Sequence, residues 1–153
     1  MNNAKKAIDD IDRRILSVLQ KEGRISNLEL ADRVGLSPTP CSRRVRRLEE
    51  SGVIAGYGAR IDPVALGCAI SVLVSVRLAH QGPVDIHMFL NAVDRLPEIT
   101  ECLLVTGNLD YVLRVQTQDV QALRDFILNE LKSLPCVAET STRLILETVK
   151  AAD

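Results

Sequence analysis

The chain has 153 residues, of which 46% are hydrophobic and 25% charged, so it suits one large domain or two small ones and is not disordered. Its net charge of −1 is unevenly distributed: residues 1–60 carry 12 Lys and Arg against 8 Asp and Glu, and residues 61–153 carry 7 against 12. This asymmetry indicates that only the N-terminal part contacts nucleic acid. Neither an apolar signal segment nor a run of roughly 20 apolar residues is present, so we expect a cytoplasmic protein without membrane contact.

Two predicted helices open the chain. The first spans residues 9–21 and is capped by Asp9 or Asp10. The second begins at Ser26, and Glu29 three residues later completes a capping box. Their predicted inward residues are Ile11, Ile15, Val18 and Leu19 in the first helix and Leu28, Ala31 and Val34 in the second.

Residues 37–52 predict a third helix and read Ser-Pro-Thr-Pro-Cys-Ser-Arg-Arg-Val-Arg-Arg-Leu-Glu-Glu-Ser-Gly. Ser37 or Thr39 can cap its first turn, which tolerates the two prolines because their missing N–H groups have no intrahelical partner there. Gly35 interrupts the chain before this helix, and Gly52 stands where it would end. The order of helix, short glycine-containing turn and helix is typical of a helix-turn-helix, whose second helix enters the major groove of DNA.

The arginines of this third helix are the candidate DNA contacts. Cys41, Val45 and Leu48 recur at helical spacing and form an apolar stripe, with three arginines predicted on the opposite side. Guanidinium groups suit both phosphates and base edges. Such a face can also be merely solvated, but the caps, the turn and the arginine clustering all favour DNA binding. The predicted DNA-binding residues are Ser37, Thr39, Ser42, Arg43, Arg46 and Arg47.

The remaining sequence predicts a linker and a second domain. The helix-turn-helix (winged-helix-like) domain covers residues 1–52, a linker with a short connecting strand covers 53–62, and the second domain covers 63–153. In this second domain the order strand, helix, strand occurs twice, which predicts an α+β, ferredoxin-like βαββαβ sandwich. Its predicted elements are a strand at 69–78, a helix at 83–96, strands at 99–105 and 110–116, a helix at 119–134 and a strand ending near 148.

One face of the predicted sheet has no helix to cover it. An exposed apolar face favours self-association, and helix-turn-helix domains are commonly dimeric, so we predict a homodimer. The expected residues of this face are Leu73, Cys102, Leu104, Val112, Leu144 and Leu146.

The sequence predicts neither a metal site nor a cofactor. Its four cysteines form no CxxC pair, and His80 and His87 lie seven residues apart without neighbouring ligands. We therefore expect free, reduced thiols and no metal.

The run from Leu36 to Tyr57 resembles the DNA-binding domain of the Lrp/AsnC family, the leucine-responsive or feast/famine transcriptional regulators of bacteria and archaea. The second half resembles their ligand-sensing domain, including the loop Gly107-Asn108-Leu109-Asp110-Tyr111. The resemblance implies a sequence-specific, nucleoid-associated regulator whose partners are double-stranded DNA and a small effector, usually an amino acid. It also implies homodimers joined through the sensing domains, which in this family often assemble to octamers, with effectors bound between dimers near this loop; the sequence leaves dimer and octamer both open.

The same loop has chemistry that suits an amino acid. Gly107 can adopt a positive φ and bring bare N–H groups close to a carboxylate, and Asp110 can accept hydrogen bonds from an ammonium group. A simple hairpin turn in which Asp110 caps backbone amides would also explain these residues. The resemblance adds Leu104 and two residues of the last strand, without a role for Arg143 beside them. The predicted effector-binding residues are Leu104, Gly107, Asp110, Leu144 and Ile145.

Two other functions are less favoured. Haem-biosynthesis decarboxylases have folds similar to this family, but the chain has two histidines and no evident acid–base constellation. RNA binding through the sheet would need stacking aromatic residues, and the chain has only two Phe and two Tyr. The sequence therefore predicts a regulator rather than an enzyme.

Overall fold

The computed structural model describes residues 8–150, which divide into two compact units, residues 8–60 and 61–150. The predicted domain boundaries at 52 and 62 stay predictions, and their outer ends, residues 1–7 and 151–153, lie outside the described residues. Between residues 8 and 150, no helix is both long and apolar enough to cross a membrane.

The first unit consists of three helices: α1 (Asp10–Lys21), α2 (Asn27–Val34) and α3 (Pro38–Glu50). The predicted capping box of Ser26 with Glu29 starts α2. The predicted cap of α1 is Asp9, which forms a capping box with Asp12 that was not foreseen from the sequence. The side chain of Ser37 occupies the N-cap position of α3 but makes no cap hydrogen bond. The buried apolar residues of this unit are Ile15, Leu30, Ala31, Val34, Cys41 and Leu48.

The prediction that Leu28 faces inward is wrong, because its side chain is 68% exposed. Leu30, Ala31 and Val34 define the buried face of α2. At about 100° per residue, Leu28 points well away from that face. The prediction was wrong because it placed Leu28, and not Leu30, on the buried face of α2.

The second unit contains a four-stranded antiparallel sheet, which confirms the ferredoxin-like α+β prediction. Its strands lie in the order β2 (Ile99–Leu104), β3 (Tyr111–Thr117), β1 (Ile70–Leu78) and β4 (Val137–Leu144). Helices follow the first and third strands, so each half of the unit is a strand, a helix and a strand. The elements are a short 3₁₀ helix (Val64–Leu66), β1 (Ile70–Leu78), α4 (Pro83–Val93), β2 (Ile99–Leu104), β3 (Tyr111–Thr117), α5 (Val120–Asp125), a π-helical segment (Phe126–Leu131) and β4 (Val137–Leu144).

The core lies between one face of this sheet and the two helices. Its buried residues include alternate positions of β1 and β3, which match the alternation of apolar residues along both strands, and Phe89 and Phe126 from the helices. Leu90 and Val120, which lie at helical spacing with the inward residues of their helices, are 39% and 68% exposed. The last predicted helix, at 119–134, changes to π-helical hydrogen bonding after Asp125, as the bond from the Lys132 N–H to the Ile127 carbonyl shows.

The expected apolar outer face of the sheet is largely wrong. Cys102 and Leu104 pair with Leu113 and Tyr111, and Leu144 pairs with Val72, so all three point to the helix-covered side. A register shift between Ile99 and Glu101 and the unforeseen pairing of β4 explain the error. Leu146 lies beyond the last strand. The outer face is mixed: the apolar residues Leu73, Leu103 and Val112 lie among the ion pairs Arg77–Glu139 and Arg114–Glu101.

The connecting strand predicted within residues 53–62 does not form. A strand is held by hydrogen bonds to a neighbouring strand, and no segment of the described chain pairs with these residues. The last strand likewise ends at Leu144 rather than near 148, and only Ile145 continues its bonding, through an N–H bond to the carbonyl of Ser71.

Candidate DNA-binding surface and effector pocket

The turn between α2 and α3 fixes the candidate recognition helix. Gly35 has a φ of +73°, a left-handed conformation that a side chain would disfavour. The N–H of Leu36 then donates to the carbonyl of Ala31. The Nδ2 of Asn27 donates to the Pro38 carbonyl at 3.0 Å, which ties the start of α3 to the start of α2. These bonds hold α3 in one orientation against α2.

One face of α3 is exposed to solvent. Its apolar stripe is inward as predicted, with Cys41 and Leu48 buried and Val45 partly buried. Arg46 is 80% exposed and pairs only with Glu50 one turn along, at 2.8 Å. Arg43 is exposed and makes no ion pair with any residue between 8 and 150. The other predicted contacts on this exposed side are Ser37, Thr39 and Ser42.

Arg47 does not share this exposed face, contrary to the predicted geometry. Its Nη2 donates to Asp12, whose side chain is completely buried beneath α3. Arg44 reaches the same carboxylate at 2.8 Å and Asp9 at 2.6 Å. The sequence interpretation missed Asp12, although an acidic residue beside Ile11 and three residues before Ile15 on an apolar helix face is a signal of a buried ion pair.

The predicted effector loop lines a cleft of about 580 Å³ at one end of the sheet. Leu104, Gly107 and Asp110 all line it, so the structure brings three of the five predicted effector residues together. Gly107 has a φ of +121°, as expected of a turn glycine. Around the loop, the N–H of Val105 bonds to the Asp110 carbonyl at 2.9 Å, whereas the N–H groups of residues 106–109 find no acceptor within residues 8–150. These free amides can receive an anion.

Asp110 already has protein partners. Its two carboxylate oxygens accept hydrogen bonds from the N–H of Leu78 at 2.7 Å and from the Nε2 of Gln81 at 2.8 Å. Asp110 therefore has a structural role, but it binds one backbone amide of β1 rather than the amides of its own turn. A carboxylate offers about four acceptor positions, so two remain for a ligand. Gln81, which the sequence interpretation did not include, lines the same cleft.

Leu144 and Ile145 lie away from this cleft. Leu144 pairs with Val72 near the start of β1, whereas the cleft lies at the opposite end of β1, beside Leu78. Leu144 is also on β4, at the other edge of the sheet from Leu104 on β2. Within one chain, a ligand bound in the cleft therefore cannot also contact Leu144 or Ile145. Arg143, which had no assigned role, donates to the Ser75 hydroxyl at 3.0 Å and covers this buried serine.

The cysteines and histidines do not form a chemical centre in the part of the chain that the structure describes. All four cysteines are free, and burial raises the pKa of the Cys41, Cys102 and Cys136 thiols, which disfavours the reactive thiolate. Residues 8–150 contain no group of three His, Cys, Asp or Glu side chains placed to hold a metal ion.

Comparisons with known proteins identify the family. Residues 8–55 match the family model described as winged helix-turn-helix DNA-binding, and residues 71–153 match the Lrp/AsnC ligand binding domain. The leucine-responsive regulatory protein of Escherichia coli is 47% identical over 148 residues, which cover 97% of this chain and 90% of that protein.

Solved structures agree with this family assignment. A transcriptional regulator of Neisseria meningitidis in complex with L-Met has a TM-score of 0.91 at 32% identity, with 95% of this chain and 94% of that chain covered. A feast or famine regulatory protein of M. tuberculosis complexed with L-methionine has a TM-score of 0.84 at 35% identity, with 95% and 96% covered. These relatives are regulators, so the decarboxylase alternative is not favoured. The chain belongs to the Lrp/AsnC family of DNA-binding transcriptional regulators.

Proposed function

We propose that this regulator binds its operator through the exposed face of α3 and adjusts that binding to an amino acid held at the sheet-end cleft. The observation that carries the DNA assignment is the exposure of Arg43 and Arg46 on the second helix of a capped helix-turn-helix. Ser37, Thr39 and Ser42 lie near the start of this helix, where small polar side chains can reach phosphates or base edges.

Single alanine substitutions test the DNA assignment. An operator is first selected from random duplex DNA with the wild-type protein, and affinities are then measured at one fixed salt concentration. Arg43→Ala or Arg46→Ala should each weaken operator binding by roughly 5- to 150-fold, the cost of about 1–3 kcal/mol for a lost bidentate base contact. Arg95→Ala, an exposed arginine of the second unit, is the matched control. Wild-type affinity in both α3 variants would overturn the assignment.

The cleft suits a zwitterionic amino acid with an apolar side chain. The free N–H groups of residues 106–109 can receive the carboxylate, and the two unused acceptor positions of Asp110 can receive the ammonium group. Leu104, which lines the cleft and is 74% exposed, offers apolar surface to the ligand side chain. The Neisseria and tuberculosis relatives complexed with methionine support this ligand class.

Calorimetry against the twenty amino acids tests the effector proposal. At least one apolar amino acid should bind the wild type, and Asp110→Ala should lose that binding because the ammonium partner is gone. Gly107→Val should also weaken binding, because valine is strained at a φ of +121°. Gly82→Val, at a residue with an ordinary φ of −79° and open space around it, is the control. Equal binding by Asp110→Ala and the wild type would exclude Asp110 from the site.

The separation of Leu144 and Ile145 from the cleft supports a site completed by a second copy of the chain. We propose a homodimer that assembles to an octamer, in which these residues reach a neighbouring copy's cleft. Leu146 and Val149, which are 90% and 89% exposed at the end of the described chain, offer further apolar surface. An effector changes DNA affinity only if it binds two assembly states unequally. Acting on chromosomal DNA, the protein would reside in the cytoplasm, associated with the nucleoid.

Light scattering of the full chain tests this assembly. Leu146→Glu combined with Val149→Glu should lower the molar mass at micromolar concentration, since two charges would be buried without partners. Val84→Glu combined with Leu66→Glu alters two similarly exposed apolar residues, 74% and 66%, and is the control. A wild-type protein that is monomeric at this concentration would contradict the proposed assembly.

A further inference from the structure

We infer that Asp12 is a specificity-determining residue: from beneath α3 it withholds Arg44 and Arg47 from DNA, so that Arg43 and Arg46 dominate the contacts. This inference rests on the proposed role of α3 in DNA binding. Four arginines crowd into residues 43–47 of one helix, and every one of them could in principle attract phosphate. The structure divides them into an exposed pair and a pair held by carboxylates.

The hydrogen bonds around Asp12 form a closed network. Its Oδ1 accepts from Arg44, and its Oδ2 accepts from Arg47 and, at 3.2 Å, from the N–H of Asp9. The Oδ1 of Asp9 accepts from the N–H of Asp12 at 2.8 Å, and the Oδ2 of Asp9 accepts from Arg44 at 2.6 Å. Both carboxylates therefore belong to the capping box of α1 and are fixed in place.

The network lies where negative charge is stabilised. Asp9 and Asp12 lie at the N-terminus of α1, where the helix dipole and free N–H groups stabilise negative charge. The Asp12 side chain has no exposed surface, so losing its arginines would leave a buried, unpaired charge. Arg44 and Arg47 are only 26% and 32% exposed, against 80% for Arg46. Moving either arginine to DNA thus has a cost that Arg43 and Arg46 do not incur.

Withholding two cations lowers affinity for all DNA sequences alike. Phosphate contacts carry no sequence information and supply essentially all of non-specific binding. A regulator must distinguish its operator from a large excess of other DNA, so the ratio of specific to non-specific affinity matters more than either affinity alone. By holding Arg44 and Arg47 to α1, Asp12 reduces the sequence-independent contribution while the exposed pair still reads the groove.

The test is the salt dependence of binding to a non-operator duplex, measured with Asp12→Asn in the full-length protein. Asp12→Asn frees Arg47 and leaves Arg44 paired with Asp9 alone. The log–log slope should therefore steepen by about 1 to 2, so that affinity falls roughly 3- to 12-fold more than that of the wild type between 50 and 200 mM salt. At low salt the variant should bind this duplex more tightly than the wild type, and its operator preference should fall. A role in stability alone would leave the slope of the folded protein unchanged, and that result would overturn the inference.

Companion variants separate charge withholding from other effects. Asp12→Asn combined with Arg44→Gln and Arg47→Gln should return the slope to the wild-type value. Asp10→Asn changes the same charge at a neighbouring exposed residue without a bond to either arginine and should change the slope less than Asp12→Asn does. If Asp12→Asn does not fold, Asp9→Asn decides: asparagine still caps α1, while Arg44 loses one carboxylate, so the slope should steepen by up to about 1.

The outcome is distinguishable from failure of the proposed DNA surface. If Arg43→Ala and Arg46→Ala leave operator binding intact, the assignment of α3 itself fails. If they weaken operator binding but Asp12→Asn and Asp9→Asn keep the wild-type slope, only the withholding role of Asp12 fails.

Discussion

The two sides of α3 use the same side chain for opposite purposes. On the exposed side, Arg43 and Arg46 are accessible, and the only ion pair between them and residues 8–150 is a surface pair with Glu50. On the side that faces α1, Arg44 and Arg47 pair with the buried carboxylate of Asp12 and so attach α3 to α1. Surface pairs contribute little to stability, whereas breaking a buried pair is costly. The number of arginines in a recognition helix therefore does not give the number available to DNA.

The largest expected effect that separates the two sides is on stability. Arg47→Ala removes one of the two cations on Asp12 and should lower the free energy of unfolding by up to about 3 kcal/mol, less than the full cost of an unpaired buried charge because Arg44 remains. Arg43→Ala should change it by less than about 0.5 kcal/mol. Urea denaturation of both variants at neutral pH measures the difference. Equal stability of the two variants would remove the structural distinction between the two sides.

The caps of the two helices in the motif provide a smaller contrast. The Ser26 hydroxyl accepts from the N–H of Glu29 at 3.2 Å, so Ser26→Ala should cost about 1 kcal/mol. Ser37 makes no such bond, so Ser37→Ala should leave stability nearly unchanged, and any loss of operator affinity would reflect contact with DNA. Thermal unfolding and operator binding of the two variants should thus respond in opposite ways. A large stability loss in Ser37→Ala would show that the serine caps α3 after all.

The smallest expected effect is on the stability of the fold at acidic pH. The hydrogen bond from the Asp12 N–H, followed by that from Arg44, lowers the pKa of Asp9 from 3.8 to about 2. Since the folded-state pKa is the lower one, the stabilisation is complete above pH 3.8 and is lost as the pH falls towards 2. Asp9→Asn should therefore lose less stability than the wild type across this interval in urea denaturation, with Asp10→Asn as the control. If the free energy of unfolding changed equally with pH in the wild type and in Asp9→Asn, the lowered pKa of Asp9 would be contradicted.

The sequence predicted those features that depend on neighbours along the chain. The caps at Asp9 and Ser26 and the alternating burial of β1 are local, and the structure confirms each of them. The prediction that the apolar stripe of α3 faces inward and that Arg43 and Arg46 lie on the opposite, exposed side is confirmed, because helical periodicity places them there. The same periodicity wrongly placed Arg47 with them.

The failures depend on partners that are distant in sequence. Asp12 and Arg47 are separated by 35 residues, and no pattern within α3 reveals that α1 supplies a carboxylate there. The register shift in β2 moved Cys102 and Leu104 to the covered side of the sheet. The distance between Leu144 and the cleft follows from strand order, which becomes visible only when the sheet is assembled.

The most direct test is to measure operator affinity and stability together for two paired variants, Arg43→Gln with Arg46→Gln and Arg44→Gln with Arg47→Gln. Both pairs remove the same charge from the same helix. The first pair should lose operator binding and keep wild-type stability. The second should lose stability and, at temperatures where it remains folded, still bind the operator. A folded Arg44→Gln, Arg47→Gln protein that no longer binds the operator, beside an Arg43→Gln, Arg46→Gln protein that still does, would contradict the division of α3 into a DNA-facing side and a supporting side.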